Sequence, residues 1–145
     1  MPSPTSLVLD SYALIGYLEN EPFADQIEAL LNQARKGQSS LYLHVIHLGE
    51  VYYITLREQG QDLADLAYSR IRAFPLNFID HIDEKLLLTA SSLKANYPIS
   101  YADCFAAAMA RLNRCPLLTG DREFRTLEKE GIITINWLVQ RSSAL

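Results

Sequence analysis

Three aspartates in this sequence stand where one predicted element gives way to the next. Asp10 follows the apolar run "LVL", Asp121 follows "LLTG", and Asp103 lies three residues after Ser100 at the start of an alanine-rich segment. Asp and Ser are favoured at helix N-termini, where their side chains accept hydrogen bonds from backbone N–H groups. Each aspartate, taken singly, is therefore more readily explained as a helix cap than as a catalytic group.

Glu50 is a different kind of acid, because it lies inside a helical segment among apolar residues. Leu48, Val51 and Ile54 are its neighbours in "HLGEVYYI". A carboxylate on an apolar surface is costly unless a partner compensates its charge. That partner could be a metal ion, Arg57 or an ordered water, and simple exposure on the helix surface is a further alternative.

The four carboxylates would share one chemistry if the fold brought them together. Two carboxylates about 5 Å apart repel by roughly 3 kcal/mol at an effective dielectric constant near 20. Four of them would need a cation or protonation, and a site with only oxygen ligands selects Mg²⁺, with Mn²⁺ as the alternative. A helix that begins at Ser100 would place partial positive charge beside Asp103, so capping and metal binding are compatible roles.

The elements that must position these acids alternate between short apolar runs and longer amphipathic segments. Five runs are predicted strands: 6–9, 40–45, 75–80, 116–119 and 132–138. The segments between them carry apolar residues at helical spacing, and Pro22 suits the first turn of the second helix. This alternation indicates an α/β/α sandwich with a central, mostly parallel sheet of four or five strands and about six or seven flanking helices. Ligands bind at the carboxyl ends of such strands, where Asp10 and Asp121 fall.

The composition fits one soluble domain over residues 1–145, with 49% hydrophobic and 21% charged residues. No apolar run reaches the roughly 18 residues of a membrane helix, and the N-terminus lacks the basic region of a signal peptide. Cys104 and Cys115 have neither disulfide nor zinc spacing and are interpreted as reduced core residues of a cytoplasmic protein. A net charge of −4 argues against simple coating of nucleic acid but leaves open a nuclease with acids at a metal site.

Four segments of the chain, in order and spacing, resemble the PIN-domain ribonucleases, and in particular the VapC-like toxins of prokaryotic toxin–antitoxin pairs. The segments are "LVLDSYALIGYL", "HVIHLGEVYYITLR", "LKANYPISYADCFAAAMARL" and "PLLTGDREFRTLE". With a final hydrophobic strand they cover nearly the whole chain. The resemblance implies a PIN-like α/β/α sandwich and a catalytic, metal-binding set supported by two hydroxyls. The set is Asp10, Glu50, Asp103 and Asp121, and the supporting residues are Ser100 and Thr119.

The resemblance also implies an activity and partners. The activity is Mg²⁺-dependent hydrolysis of RNA phosphodiester bonds, and the partners are a second copy of the chain and a cognate antitoxin that blocks the metal site. Arg111, Arg114 and Arg122 flank two of the acids in sequence and are candidate contacts for RNA phosphates, with a solvated surface as the alternative. His47 stands three residues before Glu50 and is interpreted as structural rather than catalytic.

Other classes of protein also place aspartates at strand ends. A receiver-like module needs an acidic pair near the first strand and a lysine after a late strand, but Asp10 stands alone and no lysine follows "PLLT". A haloacid-dehalogenase-type phosphatase needs a second aspartate where this chain has Tyr12. A non-catalytic PIN-like module that binds RNA or protein remains the alternative to the ribonuclease.

Overall fold

The computed structural model describes residues 5–139, in which five strands, seven α-helices and one 3₁₀ turn follow each other along the chain. The strands are β1 (Thr5–Leu9), β2 (Ser39–His44), β3 (Asn77–Ile79), β4 (Leu117–Thr119) and β5 (Ile135–Trp137). The helices are α1 (Ser11–Leu18), α2 (Ala24–Arg35), α3 (Val45–Gln59), α4 (Gln61–Arg72), α5 (Glu84–Asn96), α6 (Tyr101–Asn113) and α7 (Arg125–Lys129). The 3₁₀ turn spans Arg122–Phe124 and leads directly into α7.

The strands form one parallel sheet in the order β3-β2-β1-β4-β5. The chain builds outward from β1 to β3 on one side and then crosses back to add β4 and β5 on the other. The strand order therefore reverses between β1 and β4, and ligand sites of open parallel sheets lie at such a reversal, outside the carboxyl ends of the strands. The predicted α/β/α sandwich is confirmed.

Helices cover both faces of the sheet. Successive side chains of a strand point to opposite faces, so Val8 packs in the layer formed with α5, α6 and α7, whereas Leu7 and Leu9 pack against α1 to α4. Burial on both sides explains why the strands read as continuous apolar runs. Small side chains at 106–108 are fully buried and let α6 approach the sheet closely.

Several element boundaries differ from the predicted ones. The second helix begins at Ala24, two residues after Pro22, because Phe23 occupies the capping position and buries its ring in the core. β3 is limited to Asn77–Ile79 because it lies at the sheet edge and pairs only with β2. Within residues 5–139, no helix has both the length and the apolar character needed to cross a membrane.

Candidate metal centre

Asp10 lies at the carboxyl end of β1 and is almost completely buried, with 1% of its surface exposed. One carboxylate oxygen accepts the backbone N–H of Ala13 at 3.0 Å, which caps α1. The other oxygen accepts the hydroxyl of Thr119 at 2.5 Å. Both oxygens are therefore fixed by donors, and Asp10 is at once a helix cap and a member of the acidic site.

Thr119 connects Asp10 to the next acid along the sheet edge. It is the last residue of β4, and its buried hydroxyl also accepts the backbone N–H of Asp121 at 3.0 Å. The Asp121 carboxylate in turn accepts the N–H of Glu123 at 3.0 Å and caps the 3₁₀ turn. The parallel pairing of β1 with β4 therefore brings Asp10 and Asp121 to one place.

The N-terminus of α6 brings a third acid to the same edge. Ser100 caps the helix by accepting the N–H of Asp103 at 3.1 Å. Carboxylate oxygens of Asp103, Asp121 and Glu123 lie within 4.8 Å of one another. Sequence reasoning missed Glu123, because residues two apart in a helical turn do not ordinarily face one side and the spacing gives no signal that the carboxylates of Asp121 and Glu123 meet.

Glu50 reaches the cleft from the middle of α3. The cleft encloses about 370 Å³, and Glu50 lines it together with Ser100, Asp103 and Asp121. Its Oε1 atom is buried and has no hydrogen-bond partner among the described residues. Arg57 does not compensate this charge, because its guanidinium packs over another side chain of α3, the ring of Tyr53.

Burial raises the pKa values of three of the acids, and nearby carboxylates add to the effect for Asp10 and Asp103. Burial raises the pKa of Asp10 to about 7, with smaller contributions from the charges of Asp103 and Asp121. Burial, followed by the charges of Asp121 and Glu50, raises the pKa of Asp103 to about 6. Burial also raises the pKa of Glu50, an effect that a hydrogen bond with Ser11 partly offsets. The carboxylates therefore share one electrostatic environment that resists full ionisation in the absence of a cation.

Two histidines support the elements that carry Glu50 and Asp103. His47 is fully buried on α3, and its Nε2 atom donates to the carbonyl oxygen of Ala102 at 2.8 Å, at the start of α6. Burial lowers its pKa to about 4, so its ring is neutral at pH 7. His44 caps α3 by accepting the N–H of Ile46 at 3.1 Å. Neither imidazole lines the acidic cleft.

The three candidate RNA-binding arginines do not lie together. Arg111 donates to the carbonyl oxygen of Ile132 at 2.8 Å, and Arg114 caps the C-terminus of α6 in a left-handed conformation. At about 1.5 Å per residue, the helix axis separates Arg114 from Asp103 by roughly 16 Å. The structure therefore does not bring Arg111 or Arg114 to the cleft, because closeness in sequence becomes distance along a helix. Arg122, in contrast, is exposed in the 3₁₀ turn directly after Asp121.

The family model of the PIN domain matches residues 7–130. That range covers most of the chain and includes the end of β1, all of β4 and all the acids of the cleft. The chain therefore belongs to the PIN-domain family, as the resemblance in its sequence predicted.

Solved structures of toxin–antitoxin proteins share this fold at low sequence identity. The VapBC2 complex of Rickettsia felis bound to promoter DNA is similar over 93% of this chain and 100% of that chain, with 13% identity and a TM-score of 0.72. VapBC-1 of Haemophilus influenzae is 19% identical over 92% and 98% of the two chains, with a TM-score of 0.67. VapC20 of Mycobacterium tuberculosis, a toxin that cleaves the sarcin-ricin loop, is 15% identical over 84% and 94%, with a TM-score of 0.63. No curated protein matches the sequence.

Proposed function

We propose that this chain is a metal-dependent endoribonuclease and the toxin component of a type II toxin–antitoxin system. The observation that carries the proposal is that Glu50, Asp103 and Asp121 line one cleft, while the buried Asp10 lies close enough to feel the charges of Asp103 and Asp121. These acids come from four separate elements, and the raised pKa values of Asp10, Glu50 and Asp103 mark an arrangement that is costly without a cation. Membership of the PIN family and the fold shared with VapC20 support the choice of RNA as substrate.

The donor set fits Mg²⁺ or Mn²⁺. Oxygen atoms of Asp103, Asp121 and Glu123 are close enough to share one ion, and the buried Oε1 atom of Glu50 lacks a partner that an ion or its water would supply. Hard divalent cations prefer such carboxylates and complete their coordination with water. Both carboxylate oxygens of Asp10 already accept hydrogen bonds from the protein. Asp10 would therefore contribute its negative charge to the site and a lone pair for the ion or one of its waters.

We propose that the side chains of the site position the ion, its water and the RNA phosphate and do not form covalent bonds with the substrate. A bound divalent ion would supply a water of lowered pKa and neutralise charge that develops on the phosphate. Ser100 and the first turn of α6 aim Asp103 into the cleft, and Thr119 holds Asp10 and the Asp121 loop in one geometry. Because these bonds exist before substrate binds, little reorganisation is needed during hydrolysis.

RNA would approach the cleft across Arg122. This side chain is exposed next to Asp121, and an arginine is well suited to hold a phosphate oxygen. The acids that surround the cleft repel phosphate in the absence of metal, which is consistent with a protein of net charge −4 that binds RNA at one metal site rather than along a basic surface.

A groove lined by both apolar and polar side chains is the proposed binding surface for a cognate antitoxin. It lies between α1, α3 and α4, encloses about 420 Å³ and contains two exposed leucines, Leu63 and Leu66. Apolar surface of this kind marks protein-binding sites, and the neighbours from Rickettsia felis and Haemophilus influenzae were solved as VapBC complexes. We expect the antitoxin, co-expressed with this chain, to co-purify with it, and Leu66→Glu to abolish co-purification.

We propose that a second copy of the chain binds on the other side of the sheet, at the helical layer that contains α5 and α6. Leu87, Leu88 and Tyr101 are exposed on α5 and at the start of α6, and a symmetric dimer would cover this patch. Light scattering at micromolar concentration is expected to give the mass of a dimer. A monomeric mass would contradict the dimer without affecting the nuclease.

The decisive experiment is an RNA cleavage assay with Mg²⁺, with Mn²⁺ and with EDTA. We expect cleavage by the wild type with either metal and none with EDTA. Asp10→Asn and Asp103→Asn should each lose activity by about 100-fold or more, whereas Asp25→Asn, an exposed acid in the first turn of α2, should retain it. Cleavage that survives both substitutions would refute the proposal. RNA binding without cleavage would favour the non-catalytic PIN module instead.

A further inference from the structure

Tyr12 and Phe23 form an aromatic wall on the cleft that holds the acids. Their ring centroids are 5.7 Å apart and the ring planes differ by 21°, which is an offset stack. Phe23 is 1% exposed and Tyr12 is 37% exposed. Phe23 therefore backs the stack from the core, and Tyr12 presents its ring to the solvent of the cleft.

Two glycines make room for the aromatic wall. A Cβ atom on Gly16 would lie 2.0 Å from Cζ of Phe23, and a Cβ atom on Gly120 would lie 2.6 Å from Cε1 of Tyr12. Gly120 directly precedes Asp121, so the Tyr12 ring rests against the loop that carries a member of the acidic site. Contacts with Phe23 and with Gly120 hold the ring in place before any ligand binds, so little side-chain entropy would be lost on binding.

The charged residues near the aromatic wall determine which part of a nucleotide could bind there. Glu19 and Glu21 line the cleft together with Tyr12 and Phe23, and these acids would repel a phosphate. A base is uncharged and flat, and unpaired bases of RNA stack on aromatic side chains. The acidic end of the cleft would take the phosphate with its cation, and the aromatic end would take a base of the same strand.

We infer that Tyr12 stacks on one unpaired base close to the scissile phosphate, a role that rests on the proposed nuclease function. Because every base has a flat face, this contact adds affinity with little sequence preference. The hydroxyl of Tyr12 is not needed for stacking, so a phenylalanine at this position should serve as well.

The test is the affinity of a short single-stranded RNA with hydrolysis-resistant backbone linkages, measured by fluorescence anisotropy with Mg²⁺ and with the acidic site intact. We expect Tyr12→Leu and Tyr12→Met to weaken binding about tenfold and Tyr12→Phe to leave it within about twofold. Tyr53→Leu is the matched control, because Tyr53 is exposed on α3 and does not line the cleft. The salt dependence of RNA affinity should be the same for the Tyr12→Leu variant and for the protein that keeps Tyr12, because stacking releases no counterions.

An abasic site moved along the RNA tests the same contact without relying on a variant that must fold. At one position in the RNA, the abasic site should weaken binding about tenfold to the protein that keeps Tyr12. The same abasic site should have little effect on binding to the Tyr12→Leu variant. Equal losses with and without the ring, or no sensitive position, would overturn the stacking role. If the wild type cuts RNA and Tyr12→Leu binds it normally, only this inference fails. If the wild type neither binds nor cuts RNA, the proposed function fails with it.

Discussion

The hydroxyl of Thr119 lies 2.5 Å from Oδ2 of Asp10 and joins the carboxyl end of β4 to that of β1. The same hydroxyl accepts the backbone N–H of Asp121. One buried side chain therefore sets the position of a carboxylate on one strand and of the acidic loop on the next. Removal of this hydroxyl leaves a buried acceptor and a donor without their partner.

Thr119→Val keeps the shape of the side chain and removes its hydrogen bonds. We expect the free energy of unfolding to fall by about 1–3 kcal/mol, which is the cost of an unpaired buried polar group, and metal affinity to fall with it. Urea titration measures the first quantity and calorimetry with Mn²⁺ the second. Thr134→Val is the control, because Thr134 is exposed and should change stability by less than about 0.5 kcal/mol. Equal stability of the two variants would contradict the role of the hydroxyl.

The stability of the metal-free protein should fall as pH rises. The pKa of Asp10 is raised to about 7 in the folded state from its ordinary value of 3.8, so between these values the folded state binds more protons than the unfolded state. The free energy of unfolding then decreases with pH, by up to about 1.4 kcal/mol per pH unit for one such group. Asp103 adds to the slope below about pH 6. Denaturant titrations in EDTA from pH 4.5 to 8 measure it.

Asp10→Asn is the comparison that isolates this effect. The variant cannot ionise at position 10, so its slope between pH 4.5 and 7 should be shallower than that of the wild type. Saturating Mn²⁺ should flatten or reverse the wild-type slope, because the ion favours the ionised carboxylates. Parallel slopes for the two proteins would show that Asp10 titrates normally.

Glu123 is expected to contribute to metal affinity although it did not stand out in the sequence. Its carboxylate lies within 4.8 Å of those of Asp103 and Asp121, so Glu123→Gln should weaken Mn²⁺ binding by about tenfold in calorimetry. Glu58→Gln removes an exposed acid at the end of α3 and should leave the affinity unchanged. If both variants bind Mn²⁺ as tightly as the wild type, Glu123 lies outside the metal site.

The placement of the arginines predicts unequal effects on RNA binding. Arg122→Ala should weaken RNA binding. It should also reduce the slope of the logarithm of the binding constant against the logarithm of salt concentration by about 1, as expected for the loss of one phosphate contact. Arg114→Ala should leave both unchanged, because Arg114 lies at the opposite end of α6 from Asp103. Filter binding at several salt concentrations gives both quantities. A larger effect of Arg114 would place the RNA path along α6 instead.

His47 should act on the site through its bond to Ala102. His47→Leu leaves a carbonyl oxygen at the start of α6 without its donor, whereas His47→Gln can still supply an N–H group. We expect Leu to weaken Mn²⁺ binding several-fold and Gln to restore most of the affinity, with His81→Gln, an exposed histidine, as the control. Rescue by Gln distinguishes a positioning bond from loss of core packing, and equal loss with Gln and Leu would refute it.

The sequence predicted the order and type of the elements because the strands are short apolar runs between amphipathic helices. It predicted the strand-end positions of Asp10 and Asp121 for the same reason, since parallel strands end at one edge. Hydrophobic periodicity cannot reveal which strand lies beside which, so the pairing of β1 with β4 required the structure. The expectation for Arg114 is wrong for a different reason, because Arg114 lies at the opposite end of α6 from Asp103 and closeness in sequence becomes distance along a helix.

Two further features had only weak signals in the sequence. The ring of Phe23 reads as one more apolar residue of a helix, but its capping position and its fit against Gly16 place it behind Tyr12. Residue type alone predicts a structural role for His47. Its bond to Ala102 spans 55 positions of the chain, and no local pattern specifies a contact of that separation.

The central place of β1 in the sheet gives the chain a built-in order of assembly during synthesis. The first three strands can associate as soon as residues up to Ile79 are available. Asp103 and Asp121, in contrast, follow much later in the chain, and β4 must pair with β1 before Asp121 is placed near Asp10. The four acids therefore cannot be assembled until the ribosome has released the chain as far as Asp121, and under the proposed function a shorter nascent chain would lack its metal site.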